Sequence, residues 1–318
     1  MLQGKIQELY NVLKGYTVTQ VGVVDSNTFI IVGSYNFDFE TEDTSAPSSR
    51  VISVNTTILN VGYVEYHGAH SRGVIAGGIV NGKKQAHVIS QPVPAVTFFS
   101  YASGFNDFEG VIVGVAVAES IKLINGSFYI AASNREIYKK LSPNNWELIT
   151  SELHNKGEIY PSALAIDAFS ETDIYFSGEK GELWHFNGNK WENLDPPCNW
   201  DMAYLICAKD KKVYVGGEQG QLLIGRDNHW EEIIPYRKAL KEYGKMTSMT
   251  EFKGKIYMVD RFHLNYLMDG KWVQEDKVST GIGTESIDAN EDLMIIGCAN
   301  EIILFDGENE EYLYSNNS

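Results

Sequence analysis

The sequence predicts an all-β protein that is built from repeated four-stranded units, and two observations predict it. Tryptophan recurs at intervals of 45, 39 and 42 residues, at Trp146, Trp191, Trp230 and Trp272, and Tyr312 follows 40 residues later. The residues before each of these positions repeat one order of short apolar runs and polar turns, and the runs lack the 3.6-residue periodicity that amphipathic helices show. Internal repetition on this scale indicates a repeat architecture.

Each unit contains four predicted strands. The first is a short apolar run, as at residues 163–169, and the second carries an Ile-Tyr or Val-Tyr pair, as in Asp173–Gly178 and at 212–217. A third apolar run then leads to a turn such as Asn-Gly at 187–188. Such dipeptides favour tight hairpins because both residues tolerate positive φ. The tryptophan opens the fourth strand, as in Trp191–Leu194.

A period of about 40–45 residues with four strands per unit is typical of β-propeller blades. The first half of the chain is less regular, but it fits the same pattern. We therefore predict a single β-propeller domain over residues 1–318 with seven blades, six being the alternative. The predicted blades cover residues 16–60, 61–104, 105–150, 157–195, 200–235, 243–276 and 282–315.

The N-terminal segment has two interpretations. Residues 4–10 (GKIQELY) resemble the outer strand at 270–275 (GKWVQE), so residues 1–15 could supply a strand that closes the ring. Closure matters because an unpaired strand edge invites aggregation. The same segment could instead form a short helix with Ile6, Leu9, Tyr10 and Leu13 on one face. The sequence leaves both open.

Composition restricts the partner and the compartment. The chain has 26 Lys+Arg against 42 Asp+Glu, a net charge of −16, which argues against direct nucleic-acid binding and fits a basic protein partner. It contains no apolar stretch of about 18–20 residues that could cross a membrane. Its start shows no secretory signal, and its three cysteines are unclustered. We predict a cytoplasmic protein without membrane contact.

No recognised catalytic motif is present, because the chain lacks GxSxG, GxxxxGK[ST] and HExxH sequences. His67 and His70 have a metal-like spacing, but no third ligand follows nearby. We predict no catalytic residue, no metal and no cofactor. The alternative is a carbohydrate-active hydrolase or lyase that uses a pair of carboxylates in the central channel.

Loops on one face are the predicted partner-binding site. In propellers, the loops between the second and third strands share a face with the loops that join successive blades. The longest loop, 34–50, and the loop at 101–110 interleave acidic and aromatic residues, which suit steering and anchoring of a basic protein. The candidates are Tyr35, Phe37, Asp38, Phe39, Glu40, Glu42, Asp43, Phe105, Asp107, Phe108, Glu109 and Trp200.

This face also carries a loop tryptophan and one basic segment. Trp200, in the loop 195–201, could anchor a partner or could equally pack on the ring. The loop 236–245 is basic, and its sequence predicts a short helix that is inserted between blades. Other loops on the same face are 152–160, 179–182 and 218–221.

The repeat resembles those of kelch and WD-repeat propellers in period, although neither the Trp-Asp dipeptide nor the kelch double glycine recurs. In its irregular repeats and its acidity the chain is similar to divergent bacterial propellers, which include immunity proteins against secreted toxins. This resemblance implies a non-catalytic protein that binds and neutralises a basic partner such as a toxin nuclease. It carries no residue-level roles.

Overall fold

The computed structural model describes residues 7–36, 48–58, 60–66, 74–89, 95–100, 104–111, 117–155, 157–281 and 283–316. Their strands form seven four-stranded antiparallel sheets, and strands that follow one another in the chain are neighbours in each sheet. Short hairpin turns account for this order, since they join antiparallel neighbours directly.

The strands of the first four sheets have the following bounds. The first sheet comprises β1 (Tyr16–Asp25), β2 (Thr28–Tyr35), β3 (Ser49–Asn55) and β4 (Asn60–Tyr66). The second comprises β5 (Val74–Val80), β6 (Lys83–Ile89), β7 (Ala95–Ser100) and β8 (Gly104–Val111). The third comprises β9 (Ala118–Ile124), β10 (Ser127–Ala132), β11 (Glu136–Ser142) and β12 (Asn145–Leu148). The fourth comprises β13 (Ala163–Ser170), β14 (Asp173–Gly178), β15 (Leu183–Phe186) and β16 (Trp191–Leu194).

The remaining sheets and the helices complete the described chain. The fifth sheet comprises β17 (Tyr204–Cys207), β18 (Val213–Gly216), β19 (Leu222–Arg226) and β20 (His229–Ile234). The sixth comprises β21 (Met246–Phe252), β22 (Lys255–Asp260), β23 (Leu264–Met268) and β24 (Lys271–Gln274). The seventh comprises β25 (Thr284–Ala289), β26 (Met294–Cys298), β27 (Glu301–Phe305) and β28 (Glu310–Ser315). The α-helices are α1 (Gln7–Leu13) and α2 (Tyr236–Glu242), and short 3₁₀ turns cover Ser151–Leu153 and Glu179–Gly181.

The sheets form one closed ring. The first strands of successive sheets contact one another in order, and β25 contacts β1. Hydrophobic clusters fill the spaces between neighbouring sheets, such as the one that joins Tyr129 and Ile137 to Ile166 and Phe176. Each sheet therefore buries both faces against its neighbours, which is how layers of secondary structure share a core. The predicted all-β single propeller with four-stranded blades is confirmed.

The ring closes without an exchanged strand, because the first and the last sheet each use four consecutive strands. At the junction, the Val18 backbone N–H donates to the Ala299 carbonyl (3.0 Å), and the Val23 N–H donates to Asp288 Oδ2 (2.8 Å). Inner-strand contacts between β1 and β25 thus complete the circle.

The N-terminal segment is a helix where the structure describes it, so the closing-strand alternative is wrong for Gln7–Leu13. Its apolar face buries Leu9 and Leu13, together with Val12. The Tyr10 ring lies 4.9 Å from that of Tyr314, and its hydroxyl accepts a hydrogen bond from the Ser315 N–H. The helix therefore ties the two ends of the chain together. Neither helix in the described part of the chain is long and apolar enough to cross a membrane.

The first sheet boundaries differ from those predicted. Asn60–Tyr66 is the fourth strand of the first sheet, and Gly104–Val111 is the fourth strand of the second. The predicted divisions after residues 60 and 104 are therefore wrong. In the third to sixth sheets, a recurring tryptophan marks where the fourth strand begins. The part of the chain before Trp146 has no such tryptophan, so its sequence does not mark the ends of the first two sheets.

The repeated tryptophans pack between sheets to different degrees. Trp191 and Trp272 are 7% and 6% exposed. The indole N–H of Trp191 donates to the Ile149 carbonyl (3.1 Å), and that of Trp272 donates to the Gly220 carbonyl (3.0 Å). Each of these bonds reaches back to a residue at the end of a strand or in a strand connection of the preceding sheet. Trp146 and Trp230 are half-buried.

Candidate functional site

The structure separates the predicted partner-binding residues into three groups. Six of them, Phe37, Asp38, Phe39, Glu40, Glu42 and Asp43, lie outside the described residues. Four of them, Phe105, Asp107, Phe108 and Glu109, belong to the outer strand β8 and not to a connecting loop, which corrects the prediction. This segment pairs with β7 along one edge, for example Phe98 with Asp107, so it is the outer strand of the second sheet.

The remaining two, Tyr35 and Trp200, have fixed positions. Tyr35 ends β2, and its ring packs edge-on against Tyr16 at 5.3 Å. The Trp200 indole N–H donates to Glu232 Oε1 (2.8 Å), and its ring packs against the apolar cluster between the fourth and fifth sheets. Trp200 is therefore held on the ring, but one side of it also faces a cavity.

This cavity, here called the mouth pocket, has a volume of about 650 Å³. It shares Glu119, Leu164, Ala203 and Tyr204 with the central channel, so it lies at one mouth of that channel. Its acidic and aromatic lining residues are Glu119, Glu179, Asp201, Glu218, Trp200, Tyr204 and Tyr236. No Lys or Arg occurs among the described residues that line it.

The strand order explains why these residues meet. Glu179 follows β14 and Glu218 follows β18, so both lie in connections between second and third strands. Asp201 lies between β16 and β17, and Tyr236 begins α2 between β20 and β21. Connections of these two kinds emerge on the same face of the ring. The loops predicted at 179–182, 195–201 and 218–221 do contribute to one site.

Backbone contacts fix two of these loops against each other. Asp201 Oδ1 accepts a hydrogen bond from the Lys180 N–H (2.8 Å), and the Gly181 N–H donates to the Trp200 carbonyl (3.0 Å). Glu179 Oε2 accepts from the Ser162 N–H (3.1 Å), which holds the preceding blade connection in place. The pocket wall is thus preorganised by hydrogen bonds within the protein.

The mouth pocket carries an excess of negative charge. Burial raises the pKa of the Glu119 carboxyl, and the neighbouring Glu179 carboxylate raises it further. Glu218 pairs with Lys245 at 3.1 Å, but both side chains are about half exposed, so this ion pair is screened by water. A cation that enters the pocket would relieve the repulsion between Glu119 and Glu179. Sequence reasoning missed Glu119, which lies on an inner strand and not in a loop.

Inside the channel, a lysine faces two carboxylates. The channel cavity has a volume of about 470 Å³. Lys122 Nζ lies 3.6 Å from Asp167 Oδ2, and its side chain is 44% exposed because it stands in the channel. The negative charges of Asp167 and, more weakly, of Asp288 raise the pKa of Lys122. Since Lys122 belongs to the third sheet and Asp288 to the seventh, this attraction acts across the ring.

Both channel carboxylates also hold neighbouring inner strands. Asp167 Oδ2 accepts a hydrogen bond from the Cys207 N–H (3.1 Å), and Asp288 Oδ2 accepts one from the Val23 N–H. They are engaged with backbone donors in the free protein. Each carboxylate thereby links its own inner strand to that of a neighbouring sheet.

The thiols and possible metal ligands show no activated site in the described part of the chain. Burial raises the pKa of the Cys198 thiol to about 12 and also raises that of Cys207. Such thiols remain protonated and unreactive near neutral pH. No group of three His, Cys, Asp or Glu side chains that could hold a metal ion occurs among the residues described. His67 and His70 lie outside them.

Comparison with known sequences gives one informative match. The chain is 26% identical over 143 residues to the immune protein Tsi7 of Pseudomonas aeruginosa. The matched region covers 40% of this chain and 47% of the relative, so the chain spans about half the length of the curated protein it matches. No model of a known protein family matches the chain.

Comparison with solved structures shows the fold. YCF48 bound to D1 peptide superposes with a TM-score of 0.60 at 15% identity, covering 91% of this chain and 93% of that one. The WD40 β-propeller domain of Doa1 gives 0.56 at 11% identity, covering 95% and 94%. Sqt1 of Saccharomyces cerevisiae gives 0.58 at 10% identity, covering 93% and 85%. The chain is a β-propeller with WD40-like structural neighbours.

Proposed function

We propose that this protein is a non-catalytic binding propeller that captures and neutralises a basic protein partner, as an immunity protein does with a toxin domain. The mouth pocket carries the proposal. It brings Glu119, Glu179, Asp201 and Glu218 together beside aromatic side chains, without a lysine or arginine among its described lining residues. The partial match to an immune protein supports the same function, and a structural neighbour is a propeller that binds a peptide.

Charge and shape fit a basic partner. A net charge of −16 steers a cationic protein towards the surface and raises its association rate. Aromatic side chains that are fixed on the ring, such as Trp200, then supply anchors that lose little conformational entropy on binding. A toxin nuclease meets these conditions, because its substrate-binding surface must be cationic to hold phosphates.

The acidic loop after β2 is proposed as an extension of this surface. Its base is fixed by a hydrogen bond from the Tyr35 N–H to the Ser48 carbonyl (3.0 Å). Its described ends follow β2 and precede β3, as the ends of connections between second and third strands do on the face of the mouth pocket. Tyr35 together with the acidic and aromatic residues at 37–43 would then contact the partner from the first sheet, on the same face of the ring as the pocket. For the same ring we infer seven blades, one for each four-stranded sheet.

The decisive experiment captures the partner from the native host. The purified protein is the bait, and bound proteins are eluted with about 0.5 M salt, at which the Debye length falls below about 8 Å. We expect one basic protein to elute. The bait with Asp38, Glu40, Glu42 and Asp43 all changed to Lys should associate more slowly and with weaker salt dependence, while its thermal melt stays unchanged. Retention of only acidic or neutral proteins would overturn the proposal.

A further inference from the structure

We propose that the mouth pocket binds the side chain of an arginine from the partner together with a neighbouring peptide carbonyl. This inference rests on the proposed function and names the group that the pocket recognises. It depends on three observations at one cavity. These are a set of carboxylates from separate elements, aromatic rings that are held in place, and an amide donor on a nearly buried side chain that meets no acceptor among the described residues.

The amide belongs to Gln221. This side chain is 3% exposed and lines the mouth pocket. Its Oε1 accepts a hydrogen bond from the Gln219 N–H (2.8 Å), which sets the orientation of the amide group. Among the described residues, its Nε2 has no acceptor. A donor left over at a cavity wall is available to an acceptor on a ligand. A peptide carbonyl is the commonest such acceptor in a protein partner.

The carboxylates and the aromatic rings favour arginine over other basic groups. Glu119, Glu179 and Asp201 approach the cavity from an inner strand and two different loops, so they can surround a planar, multi-donor guanidinium. The Tyr204 hydroxyl donates to the Met246 carbonyl (2.9 Å), and Trp200 is held by Glu232. Rings fixed in this way provide a surface on which a guanidinium can stack. A lysine ammonium has stronger hydration and no planar face to stack.

The electrostatics of the free pocket agree with this ligand. The Glu119 carboxyl is partly desolvated and repelled by Glu179, which raises its pKa. A guanidinium placed between the two would favour the ionised forms of both. The cavity of about 650 Å³ has room for one long side chain and the adjoining backbone. Filling it with a single anchor residue is typical of binding hot spots, in which arginine is enriched.

The test titrates small probes into the complete protein. N-acetyl-argininamide carries the guanidinium and two carbonyls, N-acetyl-citrullinamide has the same shape without the charge, and butylguanidinium has the guanidinium without a carbonyl or a second charge. Tryptophan fluorescence and NMR shifts report binding. We expect low-millimolar affinity for the arginine probe, at least about 10-fold weaker binding of the citrulline probe, and intermediate binding of butylguanidinium.

Two variants locate the site. Glu119→Gln should weaken binding of the arginine probe about 10-fold or more. Glu291 is an exposed carboxylate on the opposite face, so Glu291→Gln should leave that binding unchanged. Gln221→Leu should weaken binding of the arginine probe without affecting binding of butylguanidinium. Circular dichroism confirms that each variant is folded.

The outcomes separate this inference from the proposed function. Equal binding of the arginine and citrulline probes, or no saturable binding of either, would overturn the arginine pocket. A basic partner captured from the host would still support the proposed function in that case. Conversely, arginine-probe binding that depends on Glu119, combined with capture of no basic protein, would support the pocket and overturn the neutralising function.

Discussion

At the residue scale, one glycine allows the two central loops of the site to meet. Gly181 has φ +78°, which an L-amino acid rarely adopts. A Cβ at this position would lie 2.7 Å from the Cys198 carbonyl oxygen and 2.8 Å from the Asn199 Cα. These are backbone atoms of the loop that carries Trp200, so the clash cannot be relieved by a side-chain rotation. Glycine here sets the distance between Glu179 and Trp200.

We therefore expect Gly181→Ala to lower the free energy of unfolding by about 2–4 kcal/mol, through left-handed strain plus the backbone clash. The matched control is Gly254→Ala. Gly254 has φ +75°, but nothing lies within 4 Å of its Cβ position, so this variant should lose only about 1 kcal/mol. Urea midpoints of the two variants measure the difference. Equal midpoints would show that the two loops are not packed as described.

At the scale of the element, the fourth strands of the third to sixth sheets each have a tryptophan of the repeat as their first or second residue, but burial of that tryptophan differs from sheet to sheet. Trp191 closes the space between the third and fourth sheets, where it contacts Phe176 and Phe186 with ring centroids 5.2 and 5.3 Å apart. Trp230 is half-buried, and its indole N–H donates to Asp227 within its own hairpin. The repeat therefore predicts where each tryptophan lies in its strand, whereas the packing of the neighbouring sheet determines how far that tryptophan is buried.

Replacement of these two residues by alanine should give different losses of stability. Trp191→Ala removes a buried ring and its bond to the Ile149 carbonyl, so we expect a loss of about 3–5 kcal/mol. Trp230→Ala should cost clearly less, because water already reaches that ring. Thermal or urea melts of both proteins provide the comparison. A greater loss for Trp230→Ala would contradict the packing of the fourth and fifth sheets.

At the scale of the whole molecule, ring closure concentrates charge at the channel. Lys122, Asp167 and Asp288 come from three different sheets and meet inside the ring, while Glu119 and Glu179 meet at its mouth. The charge of Lys122 is thus paired with carboxylates within the channel, and the mouth remains acidic.

Acidification should weaken binding of a basic partner. The weakening should begin at a higher pH than it would if the carboxyl of Glu119 had an ordinary pKa. A bound cation favours ionised Glu119, but the free protein holds a proton there more tightly because its pKa is raised. Affinity is therefore complete above that raised pKa and falls as the pH drops through it. Binding constants measured across the acidic range test this sign.

The variant Glu119→Gln provides the control for this pH dependence. It should bind the partner more weakly at neutral pH and lose the part of the pH dependence that begins at the higher pH. The exposed Glu291→Gln variant should retain the profile of the unchanged protein. If all three proteins gave the same profile, Glu119 would not contact the partner.

The sequence by itself determined the repeat, the four-stranded unit and the single ring, because turns and strand patterns are local properties. It also placed the loops near Glu179, Trp200 and Glu218 on one face. Only the tertiary structure decided that Gln7–Leu13 is a helix, that Phe105–Glu109 runs along an outer strand, and that Glu119 joins the site. Those outcomes depend on which sheet lies beside which, and this is fixed only when the ring closes and brings distant inner strands to one channel.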